Sequence, residues 1–461
     1  MKDFRKEKDF LGEIEIPKKA YWGVHTQRTL NNFKISGIKF PFEFIKAIVL
    51  IKRYAAEVNK ELGLINKEIA DSIIKACEEI LEGNLEDQFP IDIFQTGSGT
   101  STNMNVNEVI ANRANEILGY PLGNKKPVHP NDHVNLGQSS NDVIPSSIHI
   151  TARIKLEELL GSLQILYEEL KKKKEEFKEI IKAGRTHLQD AVPITLGQEF
   201  SSYAEQIKKG IERIKFNSSY LEELPLGGTA IGTGINTHPE FGKRVIDKIS
   251  QRLGISFKEA SNKFEGISAK DAVVHLMGSL NTLCVSLMKI ANDLRILSSG
   301  PRTAIGEIML PAIQAGSSIM PGKVNPVIPE IMMQICAQVI GNALTVSIGG
   351  QNAPLELNVM MPIIAYNMIF SIEILKNGIK IFAEKCIRGI EADVKRCREL
   401  MEWSIGIITP LALKIGYDKA AEIAFKAYKE NKKIKDVLVD EGILTSEEVE
   451  EILKPEKMLG F

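Results

Sequence analysis

AVVHLMGSLNTLCVSLMKIANDLRIL, Ala272–Leu297, is apolar on nearly every face of a helix, and no Asp, Glu, Lys or Arg occurs between Ala272 and Met288. A membrane span needs about 18 or more consecutive apolar residues. This run falls just short of that, and Ser279, Asn281, Thr282 and Ser286 interrupt it. It reads as a buried helix. A helix without a polar face must be covered on all sides, and a helical core shared between subunits does this more readily than one chain's own bundle.

Other helical patterns surround it. Apolar residues recur at Leu156, Leu159, Leu163, Leu166 and Leu170, then Phe177 and Ile180, mostly three or four apart, with Lys171–Glu176 as a solvated face. Phe200, Ala204, Ile207, Ile211 and Ile214 repeat the pattern, and further helices are expected over Ile328–Ile348 and Pro362–Ala383. Alternating runs are few, so the predicted fold is an all-α bundle of long helices. The expected division is a mainly helical N-terminal domain over 1–138, a central long-helix domain over 139–395 and a small helical domain over 396–461. In the last of these, Thr445 and Glu448 have the spacing of a capping box.

The 461 residues are 44% hydrophobic and 25% charged, an ordinary globular composition. Fifty-eight basic against 59 acidic groups leave a formal charge of -1, which gives no bulk attraction for nucleic acid or an anionic membrane. Cys77, Cys284, Cys336, Cys386 and Cys397 are odd in number and never in CxxC spacing. They suit reduced thiols in a cytosol better than disulfides or structural zinc. With the charged start MKDFRKEKDF, which lacks the apolar stretch of a signal peptide, the expectation is a soluble cytoplasmic protein.

Five loops between the helices are rich in Gly and small polar residues: QTGSGTSTN (Gln95–Asn103), HPNDHVNLGQSSND (His129–Asp142), GRTHLQD (Gly184–Asp190), GGTAIGTGIN (Gly227–Asn236) and AGSSIMPGKVNP (Ala315–Pro326). At helix ends such residues offer hydroxyls and free N–H groups to an anion. Any one of them is compatible with a simple capped turn; five together point to a site. Several chemistries drop out. A phosphate loop needs four residues between its glycines and a hydroxyl after the lysine, whereas five separate Gly316 from Gly322 and Val324 follows Lys323. His129 and His133 have HxxxH spacing, but Pro130 argues against a helix through them, and there is no HExxH. The GxSxG elbow of a serine hydrolase is missing. No metal and no cofactor is expected.

Proton abstraction beside a carboxylate remains. It places a second charge on that carboxylate, so it needs a cation, several N–H donors and a base. Lys323 supplies the cation, the loop backbone the donors, and Ser317 a hydroxyl that can lose its proton beside them. Gly316 and Gly322 would let the loop close over a substrate.

GSSIMPGKVNP closely resembles the signature of the fumarase/aspartase superfamily, and the other four loops resemble its remaining motifs in the same order. The likeness runs from about Phe10 to the C-terminus. It implies a homotetramer around a shared helical core, with each site built from loops of three subunits. It also implies that Ser317 takes the C3 proton, while Lys323 and Asn325 hold the carboxylate that gains charge. Thr186 and His187 would bind substrate from another subunit, with Glu330 as the acidic partner of that histidine; the alternative for His187 is a buried structural role. Ser98, Thr100, Ser139, Ser140 and Asn141 match a pocket for the second carboxylate. His129, Asn131 and Asp132 match a secondary dicarboxylate site, where Lys126 stands in place of an expected arginine.

The leaving group divides the family. TGSGT (Thr96–Thr100), QSSND (Gln138–Asp142), LGGTAIGTG (Leu226–Gly234), NKFEGISAKDA (Asn262–Ala272) and IGYDKAAEIA (Ile415–Ala424) are similar to fumarases. KVNPVIPE (Lys323–Glu330), THLQDAVPITLGQEF and LPAIQAGSS lean toward aspartases, and LELNVMMP (Leu355–Pro362) favours neither. The loops that touch substrate favour water, hence reversible hydration of fumarate to malate through an aci-carboxylate. Ammonia elimination from aspartate is the alternative, and a non-catalytic structural protein on the same fold is a third reading.

Overall fold

The structure is a computed structural model that describes residues 4–460. Residues 1–3 and 461, the outermost ends of the first and last expected domains and the first residues of the charged start, lie outside the described residues. The long helices are α1 (Phe42–Glu61), α2 (Thr100–Ile117), α3 (Ser140–Glu176), α4 (Leu196–Ser218), α5 (Asp271–Leu297), α6 (Val327–Gln351) and α7 (Met361–Lys385). Among the described residues, strands occur only as two-stranded pairs. The two longer pairs are the antiparallel hairpins β1–β2 (Phe4–Asp9, Gly12–Pro17) and β3–β4 (Ile181–Thr186, Gln189–Thr195).

Cα packing divides the chain into two units. One comprises Met1–Leu159, Arg213–Thr282 and Gln338–Leu375; the other comprises Leu160–Glu212, Leu283–Ala337 and Lys376–Phe461. The first holds α1, α2 and the β1–β2 hairpin. The second holds β3–β4 and a helical C-terminal part whose core includes Leu411, Ile423, Leu438 and Val449. The capping box of Thr445 and Glu448 forms there, with both reciprocal bonds present.

Helix α3 begins at Ser140, well before the apolar periodicity starts near Leu156, and takes in Pro145. The hydroxyls of Ser146, Ser147 and Thr151 donate to the carbonyls of Asp142, Val143 and Ser147, four residues back. Small polar residues that look like a loop thereby satisfy themselves inside a helix. Helices α5 and α6 are long and apolar enough to span a membrane by composition alone. Leu276, Leu280, Leu283 and Leu287 of α5 are nonetheless packed in the core, while Val285 (59% exposed) on α5, and Leu344 (64% exposed) and Ile348 on α6, are apolar residues left open to solvent.

Candidate functional site

Three of the five loops meet in the first unit. Gly97 has no room for a side chain, because a Cβ there would collide with the carbonyl of Val359; the Met361 N–H donates to Gly97 O at 3.1 Å. This seats LELNVMMP behind the QTGSGTSTN loop and starts α2 at Thr100. Ser98 Oγ and Thr100 Oγ1 lie 2.8 Å apart, and Thr100 Oγ1 is 2.8 Å from Ser140 Oγ. A chain of three hydroxyls thus runs between the N-termini of α2 and α3, whose dipoles favour an anion. Ser139 Oγ accepts from Asn141 N at 3.2 Å, and Asn141 Nδ2 donates to Ala230 O at 2.8 Å.

Behind these hydroxyls is a residue that the sequence reading did not single out. Asp142 is fully buried. Its Oδ1 accepts from Ser139 N at 2.9 Å, closing the helix start as a capping-box acid does. Its Oδ2 accepts from Gly227 N at 3.0 Å and Thr229 N at 2.9 Å, drawing in the GGTAIGTGIN loop. Burial pushes its carboxyl up to about 6, against the opposing pull of those N–H groups and of Lys52. Lys52 is equally buried and donates to Asn135 Oδ1 at 2.8 Å, an oxygen also reached by Asn103 Nδ2 and Asn107 Nδ2. Burial pushes its ammonium down to about 7, opposed by the charge of Asp142.

His129 makes no hydrogen bond to the hydroxyl chain. Its Nδ1 accepts from Asn131 N and Asp132 N, both at 3.2 Å, and lies 3.4 Å from the Asp132 carboxylate. Contrary to expectation, Pro130–Val134 forms a short π-helical turn. Pro130 occupies its first position, where no N–H is needed.

In the second unit, GRTHLQD is not a helix end but the tip of the β3–β4 hairpin. His187 (φ 56°) and Leu188 (φ 60°) form its two-residue turn. Positive φ at both central positions is the type I′ geometry normally given to Asn-Gly, and each side chain there costs about 1–2 kcal/mol. Leu188 is 68% exposed, so burial does not offset its cost. His187 is likewise exposed, which rules out the buried structural role. Below the tip, Arg185 donates to both oxygens of the fully buried Glu307 at 2.9–3.0 Å, and Lys182 Nζ lies 3.2 Å from the same carboxylate. Glu307 immediately precedes the short strand Ile308–Met309 on the way to Ser317.

The Ser317 loop closes on itself. Gly316 N donates to Lys323 O at 2.8 Å, and Asn325 Nδ2 donates to Gly316 O at 2.6 Å. A Cβ on Gly316 would stand 2.7 Å from Lys323 O, so close approach rather than hinge freedom requires glycine there. Ser317 Oγ accepts from Ile319 N at 3.2 Å and Met320 N at 2.9 Å. Asn325 thus spends one amide hydrogen on the loop itself. Lys323 is exposed, and Glu330, in the first turn of α6, is half-buried. Among the described residues no hydrogen bond or ion pair joins Glu330 to His187, and no three His, Cys, Asp or Glu residues group to hold a metal ion.

Lys52, Asp142, Lys182 and Glu307 went unnoticed as sequence. Lys52 alone carried a visible signal, a single cation in the apolar run IVLIK (Ile48–Lys52).

A family described as Lyase matches residues 12–341, and one described as Fumarase C C-terminus matches residues 407–460. A Danio rerio protein named fumarate hydratase, mitochondrial, is 50% identical over 460 residues, covering 99% of this chain and 90% of that protein. A Neisseria meningitidis fumarate hydratase class II is 48% identical over 456 residues, covering 99% of each chain. The crystal structure of a class II fumarase from Schistosoma mansoni matches with a TM-score of 0.96 at 38% identity over 99% of both chains. The expectation of a cytoplasmic location is overturned by relatives named as mitochondrial. Scattered buried thiols report a reducing surrounding, not which compartment provides it.

Proposed function

The chain belongs to the lyase family that includes the class II fumarate hydratases, and on that footing we propose that it interconverts fumarate and malate as a carbon–oxygen lyase. In the dehydration direction Ser317, as alkoxide, takes the C3 proton of malate. Charge moves onto the adjacent carboxylate, and the C2–O bond then breaks as the departing hydroxyl takes a proton through His187, releasing water. The observation that carries this reading is the Ser317 hydroxyl itself: its oxygen already accepts two backbone N–H groups in a loop that ends on Lys323. Hydrogen bonds to the charged form favour that form, so the same two donors support an alkoxide.

Lys323 holds the carboxylate that gains charge, helped by the second amide hydrogen of Asn325. The hydroxyls of Ser98, Thr100, Ser139 and Ser140, with Asn141, bind the other carboxylate. Thr186 and His187 bind substrate, with Glu330 acting through His187 on the departing oxygen. Two strained φ angles at the hairpin tip support a functional role there, because strain of this kind collects at sites. His129, Asn131 and Asp132 form a secondary dicarboxylate site. The division into 1–138, 139–395 and 396–461 belongs to the same reading.

The assembly is a homotetramer in which Ser317 and His187 of one site come from different copies. The exposed apolar residues of two long, largely apolar helices, Val285 on α5 and Leu344 and Ile348 on α6, support it, and a monomer by light scattering would contradict it.

The reaction is tested by following fumarate absorbance with purified protein, with and without ammonium at fixed ionic strength. Loss of fumarate in plain buffer with malate as product is expected. Loss only with ammonium, giving aspartate, would replace water by ammonia.

A further inference from the structure

We infer that Asp142 is a positioning residue for the dicarboxylate pocket, and that the Gly227–Ala230 backbone it grips is the wall holding the Ser139–Asn141 turn in place. The inference rests on the reading of that turn as a carboxylate pocket. Asp142 touches none of the three hydroxyls in the Ser98–Thr100–Ser140 chain. It fixes the start of α3 through Ser139 N and the facing loop through Gly227 N and Thr229 N, using both oxygens. The neighbouring Asn141 grips the same loop from the other side of the turn through Ala230 O. Thr229 is held at φ 54°, a conformation that a non-glycine residue adopts at a cost unless something fixes it; the carboxylate bond to its N–H does so.

A buried anion beside a pocket for dianions also needs compensation, or it repels the substrate. Lys52 in its ammonium form, the state held below about pH 7, supplies it from α1, fully buried and fastened to Asn135 in the loop that leads into the same turn.

Asp142→Asn keeps the shape and removes one acceptor, so one of the three N–H groups must face an amide hydrogen. The structural consequence is a misplaced turn, not a missing catalytic group. The expected result is a KM for fumarate raised at least about tenfold with kcat within about threefold of the wild type, the pattern of lost uniform binding. A folded variant with KM within about twofold of the wild type would overturn the inference, as would a fall in kcat with KM unchanged. Hydrogen exchange on the wild-type protein decides the matter even if the variant does not fold. The Gly227 and Thr229 amides are expected to exchange at least about 100-fold more slowly than that of exposed Ile235, and equal rates would overturn the inference. If the wild-type protein leaves fumarate untouched, the reaction reading fails, while the exchange rates still judge the clasp.

Discussion

The hydroxyl pocket of the first unit and the Ser317 loop of the second are built in opposite ways. In the pocket, Ser98, Thr100 and Ser140 bond to one another, and the groups behind them, Asp142, Lys52 and Asn103, are buried and cross-braced. The Ser317 loop is tied at its neck by Gly316 and Asn325, while Ile319, Met320, Lys323 and Val324 face outward. The hairpin tip at His187 resembles the loop: a rigid charged base at Glu307 beneath an exposed end. The hydroxyl pocket is braced within one chain. The parts assigned to chemistry stand on firm bases and present their working groups to the outside, as expected where other copies complete the site.

Variants can break this contrast or sharpen it. The largest effect is expected from Ser317→Ala, which should lower kcat by about 10³-fold or more, within the range of a lost general base, while leaving the thermal midpoint nearly unchanged. Turnover at the wild-type rate would remove Ser317 from its role. Glu307→Gln acts on the base of the hairpin rather than its tip. Lys182 and Arg185 would lose a buried carboxylate, and breaking such a pair costs about 3–5 kcal/mol, to be read by denaturant unfolding. A loss under 1 kcal/mol would mean that the exposed tip does not depend on a rigid base.

Lys52→Met probes the braced side through pH. Because burial lowers the ammonium of Lys52 to about 7, only the unfolded chain still holds that proton between about pH 7 and 10. Wild-type stability therefore gains from this group as pH rises through that window. The stability of the wild type minus that of the variant should rise from pH 7 to 10; a flat difference would deny that Lys52 is buried as described. Glu330→Gln should lower turnover by about tenfold, less than the roughly 10²–10⁴-fold of a direct acid or base, with the mass by light scattering unchanged. Unchanged turnover would take Glu330 out of the mechanism. The smallest effect is expected from Leu188→Gly, which relieves a positive φ on an exposed side chain and should stabilise the protein by about 1 kcal/mol.

The contrast also explains what could be read in the sequence. The long helices showed in their apolar spacing, and the pocket hydroxyls and the Ser317 loop showed as clusters of small polar residues. The first turns of α3 did not, because Ser146, Ser147 and Thr151 bond inward within a helix that runs through Pro145, a residue that ordinarily ends one. The β3–β4 hairpin stayed hidden because His187 and Leu188 occupy a turn where Asn-Gly would announce itself. Asp142 and Glu307 were in view as letters, yet their weight comes from burial and from partners far along the chain. Spacing does not encode that.

The central claim is that the exposed catalytic parts belong to different copies within one site, and subunit mixing tests it most directly. Ser317→Ala and His187→Ala proteins, each inactive alone, would be dissociated together and reassembled at equal amounts. If the two residues of a site come from different subunits, random hybrids restore about a quarter of the sites and a corresponding share of wild-type fumarate turnover. Hybrids that assemble but remain as inactive as either parent would contradict the account.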